Sequence, residues 1–370
     1  MGWCSASFQT RKKRVPKSLR VAVCGGGTAG HYYPALSVIK EIQKRTVCEV
    51  VYFTSSGRID DKRVEIDLPG VRREPLMLHG LQRPLFHPGN AKVLLKHFFD
   101  ISRVRIVLKD FQPDFTFSTG GYISFPVIRA SRSESVPVYI HEQNALPGLA
   151  NRKLARYARL FFVSFEESKT LVPIEQERII LSGNPVRLPS KQKEELLSGL
   201  HYKQDLPFFV VMGGSLGSEA INTLCEKLYI IVQKERPDFQ FLHVTGDPVA
   251  TRRLRSFSFV RSFDYVEDLH NYMYFSDCVI ARGGATTIAE LMRYKTRGII
   301  IPWPQATDNH QYFNALSLAN AGLGCVILEN AATEEHIFKE LVKCTEKDQS
   351  FPDTESEPAA VIAEYLLRGV

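Results

Sequence analysis

The sequence lacks the features that would place it in a membrane, among disulfide-rich secreted proteins or among zinc proteins. None of its apolar runs reaches the roughly 18 to 20 residues that span a bilayer, and it does not open on the apolar segment of a signal peptide. Its seven cysteines are scattered, odd in number and free of any Cys-x-x-Cys pair, which argues against a disulfide framework and a zinc site. We therefore expect a cytoplasmic protein whose cysteines are reduced and lie mostly in the core.

Two further absences concern charge and metal ions. The 370 residues carry a net charge of +7, yet the first twenty residues supply six basic side chains and no acidic one, so the remainder is close to neutral. A nucleic-acid enzyme carries its basic surface on the folded domain, so we expect no nucleic-acid partner and treat 1–19 as a basic extension. The chain also has no Asp-x-Asp pair, with which metal-dependent sugar-nucleotide transferases hold a cation on a diphosphate. We expect no metal site and no other cofactor.

What the sequence does contain is a regular alternation of short apolar runs with helical patterns, which predicts an α/β protein with parallel sheets covered by helices. Strands are predicted at 20–24, 48–53, 114–118, 137–141, 159–164, 178–182, 207–212, 239–244, 277–281, 298–302 and 323–328. Helical patterns of the first half lie at 34–45, 90–110, 146–157 and 165–172.

The alternation is interrupted once, which indicates two domains. A polar segment at 188–199 is followed at 207–222 by a strand, a glycine loop and a helix, the same order as at 20–40. We predict two Rossmann-like domains with parallel sheets facing a cleft and a hinge near 184–190. The predicted division is an extension at 1–19, a first domain at 20–186, a second domain at 187–345, and a segment at 346–370 whose helix could pack back on the first domain.

The first glycine loop is open to two interpretations. GGGTAGH at 25–31 has the G-x-G-x-x-G spacing that turns a strand into a helix whose first amides can hold a phosphate, and this spacing also occurs in purely structural turns. An NAD site would add an acidic residue about 20 positions later. The chain instead has TSSGR at 54–58, which would suit the 2′-phosphate of NADP. An NADP-dependent oxidoreductase is therefore one alternative.

The loops after the strands point to a different ligand. They contain TGGYISFP, HEQNALPG, GNPVR, GGSLGS, RGGATTIAE and PWPQATDNHQ, a composition that suits backbone approach and hydrogen bonding to a hydroxyl-rich molecule. GGSLGSEAIN, with a helix expected to begin near Leu216, could neutralise a diphosphate through its amides. Two Rossmann-like domains, two glycine loops and no Asp-x-Asp pair describe a metal-independent glycosyltransferase of the GT-B type.

From about residue 20 to about 330 the sequence resembles the bacterial MurG glycosyltransferases. The resemblance rests on seven motifs in one order: GGGTAGHYYPAL, STGGYISFP, HEQNALPGLANR, SGNPVR, VMGGSLGSEAIN, RGGATTIAEL and PxPxATDNHQxxNA. It implies transfer of GlcNAc from UDP-GlcNAc to the C4 hydroxyl of MurNAc in lipid I, with inversion, to give lipid II. It also implies an acceptor-binding first domain, a donor-binding second domain and a peripheral position on the cytoplasmic face of the membrane.

The resemblance also implies roles for individual residues. Ser215 would contact the diphosphate, the backbone of Val266 the uracil, and Gln311 and Asn144 the GlcNAc hydroxyls. Arg187 would lie at the hinge. The ribose would lie beside one helical segment, with Glu290 accepting hydrogen bonds from its hydroxyls: Ala285, Thr286, Thr287, Ile288, Ala289 and Glu290. The first domain would close the site with Thr28, Ala29 and Gly30, and the chain departs from the family pattern at Ala29, Ser218 and Gly283.

Two residues are candidates for the catalytic base. His31 is the first, because an unperturbed imidazole titrates near neutrality and can take the proton of an attacking hydroxyl. Glu142, at a strand end, is the second, although buried carboxylates in such places are often structural. Tyr122 and Asn144 are interpreted as residues that orient the acceptor or the sugar. In this interpretation the amides at 25–30 would hold the diphosphate of the acceptor.

The last expectation concerns the surface that would face the membrane. The segment 76–111 mixes Leu, Phe and Val with five basic and two acidic residues between Lys92 and Asp110, a composition that suits an anionic inner leaflet. An ordinary amphipathic helix packed on the sheet would have the same pattern. A third hypothesis, beside the transferase and the oxidoreductase, is a membrane-associated scaffold that keeps this fold without turnover.

Overall fold

The chain forms two parallel sheets, each with its own apolar core. The computed structural model describes residues 18–77, 89–214, 217–346 and 357–369, with backbone alone at 89–97. The first sheet has seven strands in the order β3-β2-β1-β4-β5-β6-β7, and the second has six in the order β10-β9-β8-β11-β12-β13. Within the described residues every strand pairing is parallel, so all strands of a sheet end at one edge.

The first sheet is built from runs of Val, Phe, Tyr and Ile that are buried on both faces, as expected for a parallel sheet with helices on each side. Its strands are β1 Leu19–Cys24, β2 Cys48–Ser55, β3 Arg72–Leu76, β4 Phe115–Ser118, β5 Val138–Glu142, β6 Leu160–Val163 and β7 Ile179–Leu181. Its helices are α1 Ala29–Arg45, α2 Ile59–Asp67, α3 Gly89–Phe111, α4 Ser124–Ser133 and α5 Leu149–Leu154, with short 3₁₀ turns at 155–157, 166–171 and 176–178.

The second sheet has the same plan. Its strands are β8 Phe208–Met212, β9 Gln240–Val244, β10 Val260–Phe263, β11 Cys278–Ala281, β12 Arg297–Ile300 and β13 Gly324–Val326. Its helices are α6 Lys193–Gly199, α7 Glu219–Glu235, α8 Pro248–Leu254, α9 Leu269–Phe275, α10 Ala285–Tyr294, α11 His310–Asn320 and α12 Glu334–Thr345. The polar segment predicted to interrupt the pattern contains α6, whose Leu196 and Leu197 are buried in the core of this domain.

The last helix, α13 Pro358–Arg368, packs on the first sheet rather than on the second. Ala359, Ile362, Ala363 and Leu366 join the apolar cluster formed by α1 and the central strands. The chain therefore crosses between the domains twice, after β7 and again before α13. Within the described part of the chain, no helix combines the length and the apolar content that crossing a bilayer requires.

Some local predictions were wrong in detail. Pro34 was predicted in the first turn of its helix, but α1 begins at Ala29, so Pro34 is an interior residue and removes the hydrogen bond to the Gly30 carbonyl. The helix predicted to begin near Leu216 begins at Glu219, capped by the Ser218 hydroxyl. Strands β3 and β10 were not predicted.

Candidate active site in the interdomain cleft

The loops after the strands of both sheets meet between the domains, and a buried asparagine joins them. Asn314, on α11 of the second domain, is fully buried. Its Oδ1 accepts a hydrogen bond from the backbone N–H of Ala145 at 2.8 Å, and its Nδ2 donates to Asn144 Oδ1 at 3.2 Å and to the Gly283 carbonyl at 3.0 Å. One side chain thus connects the loop after β5 with the loop after β11.

His31 lies at this junction, in the first turn of α1. Its ring packs against the turn after β4, where a Cβ atom added to Gly120 would lie 3.3 Å from Nδ1 and Cε1. The His31 carbonyl accepts a hydrogen bond from the Thr119 hydroxyl, which ties the helix start to the same turn. Across the cleft, the Thr286 hydroxyl lies 3.6 Å from the position of a Cβ on Gly30. The first turn of α1 therefore faces the first turn of α10.

A chain of hydrogen bonds determines which nitrogen of His31 carries the proton. The Gly183 carbonyl can only accept, so His141 Nε2, 3.0 Å away, donates to it and His141 Nδ1 is unprotonated. Gln143 Nε2, 2.9 Å from His141 Nδ1, then donates, which turns Gln143 Oε1 toward His31 Nδ1 at 2.9 Å. His31 Nδ1 is therefore the donor, and in the neutral ring Nε2 holds the lone pair.

Burial keeps the second ring of this chain neutral. His141 is fully buried, and burial lowers the pKa of its imidazole to about 4. The donor and the acceptor of each hydrogen bond between Gly183 and His31 therefore stay the same at neutral pH. The arrangement presents one unprotonated imidazole nitrogen, His31 Nε2, as a base.

Glu142 is bound on all sides by its own loop. The carboxylate is 1% exposed. Its Oε1 accepts from the backbone and side-chain amides of Asn144 at 2.9 and 3.0 Å, and its Oε2 accepts from the Gly148 N–H and Asn151 Nδ2 at 3.0 and 2.8 Å. Four hydrogen bonds use the acceptor capacity of a carboxylate. This geometry favours a role in shaping the loop after β5 over a role as base.

The first glycine loop already holds an anion supplied by the protein. Asp60, at the start of α2, is fully buried under the loop, and its Oδ1 accepts from the Gly27 N–H at 2.9 Å. Its Oδ2 accepts from the Ser55 N–H. The neighbouring Asp61 accepts from Gly57. The loop amide of Gly27 is therefore not free for the phosphate expected there. Asp60 and Asp61 also accept from backbone amides of the TSSGR segment, which was expected to suit the 2′-phosphate of NADP.

The second glycine loop, described at 213–214 and 217–218, leads into α7. Ser215, the residue expected to contact the diphosphate, lies outside the described residues, as does Leu216. Ser218 caps α7 and its hydroxyl also accepts from Arg282 Nη2 at 2.7 Å. Arg282 is nearly buried, forms an ion pair with Glu329 and donates to the Ile301 carbonyl at 3.1 Å. A buried cation therefore fixes the end of this loop.

The start of α10 offers unused polar groups to the cleft. The first N–H groups of a helix have no partner within the helix, and no side chain caps those of α10. The Thr286 hydroxyl is buried without a hydrogen-bond partner. Glu290, one turn further, is 6% exposed, and burial raises the pKa of its carboxyl to about 7, with Arg187 acting in the opposite direction. Ile288 was expected near the ribose, but its side chain packs in the core.

Gln311 is held beside α10 by an unusually close backbone approach. Its Oε1 accepts from the Trp303 N–H at 3.0 Å. A Cβ on Gly283 would lie 2.2 Å from the Gln311 carbonyl oxygen, far inside contact distance. Asp308 and Asn309, directly before α11, both adopt left-handed backbone conformations. The departure from the family pattern at Gly283 therefore allows α11 to approach the loop after β11.

The remaining expected residues lie around this centre. Arg187 stacks over the Tyr33 ring at 4.7 Å and its Nη1 lies 3.4 Å from the Glu267 carbonyl, next to the half-buried Val266. Tyr122 is 64% exposed on the first-domain side. Thr28 is exposed, and Ala29 and Gly30 are half-buried in the first turn of α1.

Three residues of the site have no role in the sequence analysis: Gln143, Asn314 and Asp60. Gln143 lies within the motif HEQNALPGLANR and Asn314 within PxPxATDNHQxxNA, so the motifs already contained both residues. Their roles depend on partners 112 and 169 positions away in the chain, which no local pattern reveals. The acid pair IDD at the start of α2 was the available signal for Asp60.

Comparison with known proteins gives the same family for both halves of the chain. The glycosyltransferase family 28 N-terminal domain matches residues 21–163, and the family 28 C-terminal domain matches residues 208–366. A protein of Thermotoga sp. (strain RQ2) is 38% identical over 94% of this chain and 98% of its own length. A protein of Thermosipho africanus is 37% identical over 95% of this chain and 99% of its own. Both are named UDP-N-acetylglucosamine–N-acetylmuramyl-(pentapeptide) pyrophosphoryl-undecaprenol N-acetylglucosamine transferase.

Solved structures share the fold at lower sequence identity. MurG of Acinetobacter baumannii aligns with a TM-score of 0.71 and 21% identity over 95% of this chain and all of that chain. A UDP-GlcNAc 2-epimerase of Neisseria meningitidis bound to UDP-GlcNAc aligns with a TM-score of 0.67 and 16% identity over 95% of this chain and all of that chain. These likenesses show the two-domain arrangement of GT-B enzymes.

Proposed function

The chain belongs to the MurG family of glycosyltransferases, and from this membership and the cleft geometry we propose that it transfers GlcNAc from UDP-GlcNAc to the MurNAc C4 hydroxyl of lipid I. The product is lipid II, and the configuration at the anomeric carbon is inverted. The observation that supports the chemistry is the hydrogen bond of 2.9 Å between His31 Nδ1 and Gln143 Oε1, which leaves Nε2 as the nitrogen that can accept a proton in the neutral ring.

In the proposed reaction the C4 oxygen attacks the anomeric carbon of GlcNAc while the bond to UDP breaks. His31 Nε2 takes the proton of the hydroxyl, and the imidazolium that forms is stabilised through Nδ1 by the Gln143 carbonyl oxygen. Glu142 serves as a positioning residue, because it fixes the backbone and side chain of Asn144 beside the sugar.

The donor is assigned to the second domain. The free amides at the start of α10 and the unpartnered Thr286 hydroxyl are suited to the anionic diphosphate. Glu290 accepts from the ribose hydroxyls, and a ligand that supplies two donors stabilises its charged form. Gln311 and Asn144 bind the GlcNAc hydroxyls, Val266 binds the uracil through its backbone, and Ser215 contacts the diphosphate. The ribose site consists of Ala285, Thr286, Thr287, Ala289 and Glu290.

The acceptor is assigned to the first domain, with Tyr122 and Thr28 at its rim. Within the described residues, no group of three or more His, Cys, Asp or Glu side chains is placed to hold a metal ion. We assign the diphosphate to the helix amides and hydroxyls at the start of α10, so activity is expected to persist in excess EDTA. Activity that disappears with EDTA and returns with magnesium would contradict this assignment.

We place the protein at the cytoplasmic face of the membrane, with α3 against anionic lipid. Phe98 and Phe99 are each 66% exposed and Ile106 is 70% exposed. Arg103 is exposed on the same helix and lies 4.0 Å from the Glu74 carboxylate, and Arg105 and Lys109 are engaged by Glu134. Residues 78–88 of the predicted membrane-facing segment 76–111 lie outside the described part of the chain. Sedimentation with phosphatidylglycerol vesicles, but not with phosphatidylcholine vesicles, is expected, and Phe98→Ser with Phe99→Ser should reduce it.

The decisive experiment is turnover of UDP-GlcNAc with a lipid I analogue, measured as UDP release and as the disaccharide product. Absence of product would leave the scaffold hypothesis in place. The oxidoreductase alternative is not favoured, because Asp60 occupies the first glycine loop. A rise in melting temperature with UDP-GlcNAc and none with NADPH would eliminate it.

A further inference from the structure

Arg187 spans the boundary between the two domains. Its backbone is attached to the second domain: the Arg187 carbonyl accepts a hydrogen bond from the Tyr294 hydroxyl of α10, and the nearby Ser190 N–H donates to Asn271 Oδ1 of α9 at 2.7 Å. Its side chain turns the other way, and the guanidinium lies 4.7 Å from the centre of the Tyr33 ring, on α1 of the first domain. Arg187 therefore connects α10 to α1 across the hinge.

The contact joins a cation to the face of a neutral aromatic ring. Burial raises the pKa of Tyr33 above its usual value, so the phenol carries no charge at neutral pH. The ring is half-buried, packs against the apolar core of the first domain and lies 5.4 Å from the centre of the Tyr32 ring, so its position is fixed by the domain. A guanidinium is attracted to such a ring more strongly where water is partly excluded. The ring face, and not the hydroxyl, therefore holds Arg187.

The stacked guanidinium lies among groups that we assign to the donor. Its Nη1 donates to the Glu267 carbonyl at 3.4 Å, and Glu267 directly follows Val266, whose backbone is assigned to the uracil. Burial raises the pKa of the Glu290 carboxyl and Arg187 acts in the opposite direction, so the charge of Arg187 also acts on the residue assigned to the ribose. A guanidinium released from the ring could turn away from both groups.

We propose that Tyr33 is a positioning residue for the donor, because its ring holds Arg187 in the orientation that the nucleoside diphosphate meets. The inference rests on the proposed transfer from UDP-GlcNAc. Tyr33 stands two residues after His31 on α1, so one helix carries both the proposed base and the support of the donor site. Since the ring and the guanidinium are attached to different domains, donor binding favours the arrangement of the domains in which they remain stacked.

The test compares two substitutions of Tyr33 in the full chain, with the Kd for UDP-GlcNAc measured by calorimetry and kcat measured with a lipid I analogue. Tyr33→Phe keeps the ring face and should bind UDP-GlcNAc as the wild type does. Tyr33→Leu removes the ring, so the Kd should rise about three- to tenfold while kcat stays nearly unchanged. An unchanged Kd in Tyr33→Leu would overturn the proposal. A lowered kcat with an unchanged Kd would show that Tyr33 supports only α1 and His31.

A double-mutant cycle determines whether Tyr33 acts through Arg187. In the Arg187→Ala background, Tyr33→Leu should no longer change the Kd, because the ring has no cation to hold. Additive effects of the two substitutions would contradict the proposal. Tyr157→Leu is the matched control, since it removes the ring that Arg156 covers at 4.9 Å on the 3₁₀ turn after α5. It should leave the Kd unchanged, and an equal rise there would assign the effect to a general loss of stability.

Melting temperatures establish that the variants are folded. If Tyr33→Leu does not fold, Tyr33→Met replaces it, because the flexible side chain of methionine can fill the space of the ring. The proposed function and the role of Tyr33 can fail separately. A wild-type chain that does not bind UDP-GlcNAc would contradict the donor assignment itself, whereas a wild type and a ring-free variant that bind it equally would contradict only the role of Tyr33.

Discussion

At the residue scale, the base of the proposed reaction depends on a tautomer that its neighbours impose. Gly183, His141 and Gln143 are linked by hydrogen bonds of 3.0 and 2.9 Å whose direction is fixed by a carbonyl that can only accept. The same reasoning gives His31 its proton on Nδ1 and its lone pair on Nε2. The proposed base, His31, and the residue that orients it, Gln143, are therefore different residues, and variants of each can measure the two roles separately.

We predict that His31→Ala lowers kcat by about a hundred- to ten-thousand-fold, the range for loss of a general base. The donor KM should change little, because the donor contacts lie mostly in the second domain. The acid limb of the rate against pH should be present in the wild type and absent in the variant. A slow variant that keeps the acid limb would place the base elsewhere, and a variant impaired only in acceptor KM would make His31 a binding contact.

Gln143 is predicted to act through His31. Gln143→Leu removes a neutral hydrogen bond of about 1 kcal/mol, so kcat should fall about fivefold with the donor KM unchanged. Gln143→Glu is the informative control, because a carboxylate beside Nδ1–H stabilises the imidazolium and should move the acid limb to higher pH. An acid limb in the same place for wild type and Gln143→Glu would show that Gln143 does not influence the base.

Glu290 predicts a pH dependence of donor binding. Burial raises the pKa of its carboxyl to about 7, so the folded protein binds a proton between about pH 4.5 and 7 that the unfolded chain releases. Stability should therefore fall as pH rises through this window. Donor binding should behave oppositely, because the carboxylate accepts the ribose hydroxyls better than the acid does. The Kd for UDP should decrease as pH rises through 7, and Glu290→Gln should remove this slope. A slope retained in Glu290→Gln would assign the titration to another group.

At the scale of elements, the central strands and the edge strands β7 and β13 could be predicted from sequence, whereas the other two edge strands could not. The central strands are continuous apolar runs, so their type and order followed from the pattern. Strands β3 (RREPL) and β10 (VRSF) are edge strands, where arginine and proline are tolerated and the apolar signal fades. The start of α1 was misplaced by five residues for a related reason, since Pro34 is tolerated inside a helix whose first turn is fixed by Thr119.

The residues in the loops of the candidate site could likewise be predicted only in part. Motif composition placed Asn144, Glu290 and Gln311 in the segments that follow β5, β11 and β12, and parallel strands all end at one edge. It could not distinguish Glu142 as a bound carboxylate from Glu142 as a free base, because that difference is made by four hydrogen-bond donors within its folded loop. It also could not reveal the contact of Gly283 with Gln311.

Gly283→Ala tests that contact between elements. The added methyl group would lie 2.2 Å from the Gln311 carbonyl, so α11 must shift. We expect destabilisation by about 1 to 3 kcal/mol, as for overpacking of a core, together with a raised donor KM. Gly199→Ala is the matched control, because a Cβ there meets nothing within 4 Å and the residue belongs to α6. A melting temperature equal to that of the wild type would mean that the loop and α11 move apart without cost.

At the scale of the whole molecule, the described contacts between the two domains range from an exposed ion pair to buried groups, among them Ala145 and Phe165, which join the apolar core of the second domain. Arg63 of α2 pairs with Glu267 at 3.1 Å on an exposed surface, where an ion pair contributes little. Asn314, by contrast, is fully buried and joins the loop after β5 to α11. The return of α13 to the first sheet makes the chain cross the hinge a second time.

Asn314 is therefore predicted to set how the two halves of the site are aligned. Asn314→Ala leaves the Ala145 N–H buried without its acceptor, at a cost of about 1 to 3 kcal/mol. Because Asn144 loses its partner as well, both kcat and the donor KM should deteriorate, and small-angle scattering should show a larger radius of gyration that UDP reverses. Asn320→Ala, an exposed position at the end of the same helix, should behave as wild type. Unchanged scattering with impaired kinetics would limit Asn314 to a local role beside the sugar, whereas unchanged kinetics with increased scattering would show that the catalytic loops align without it.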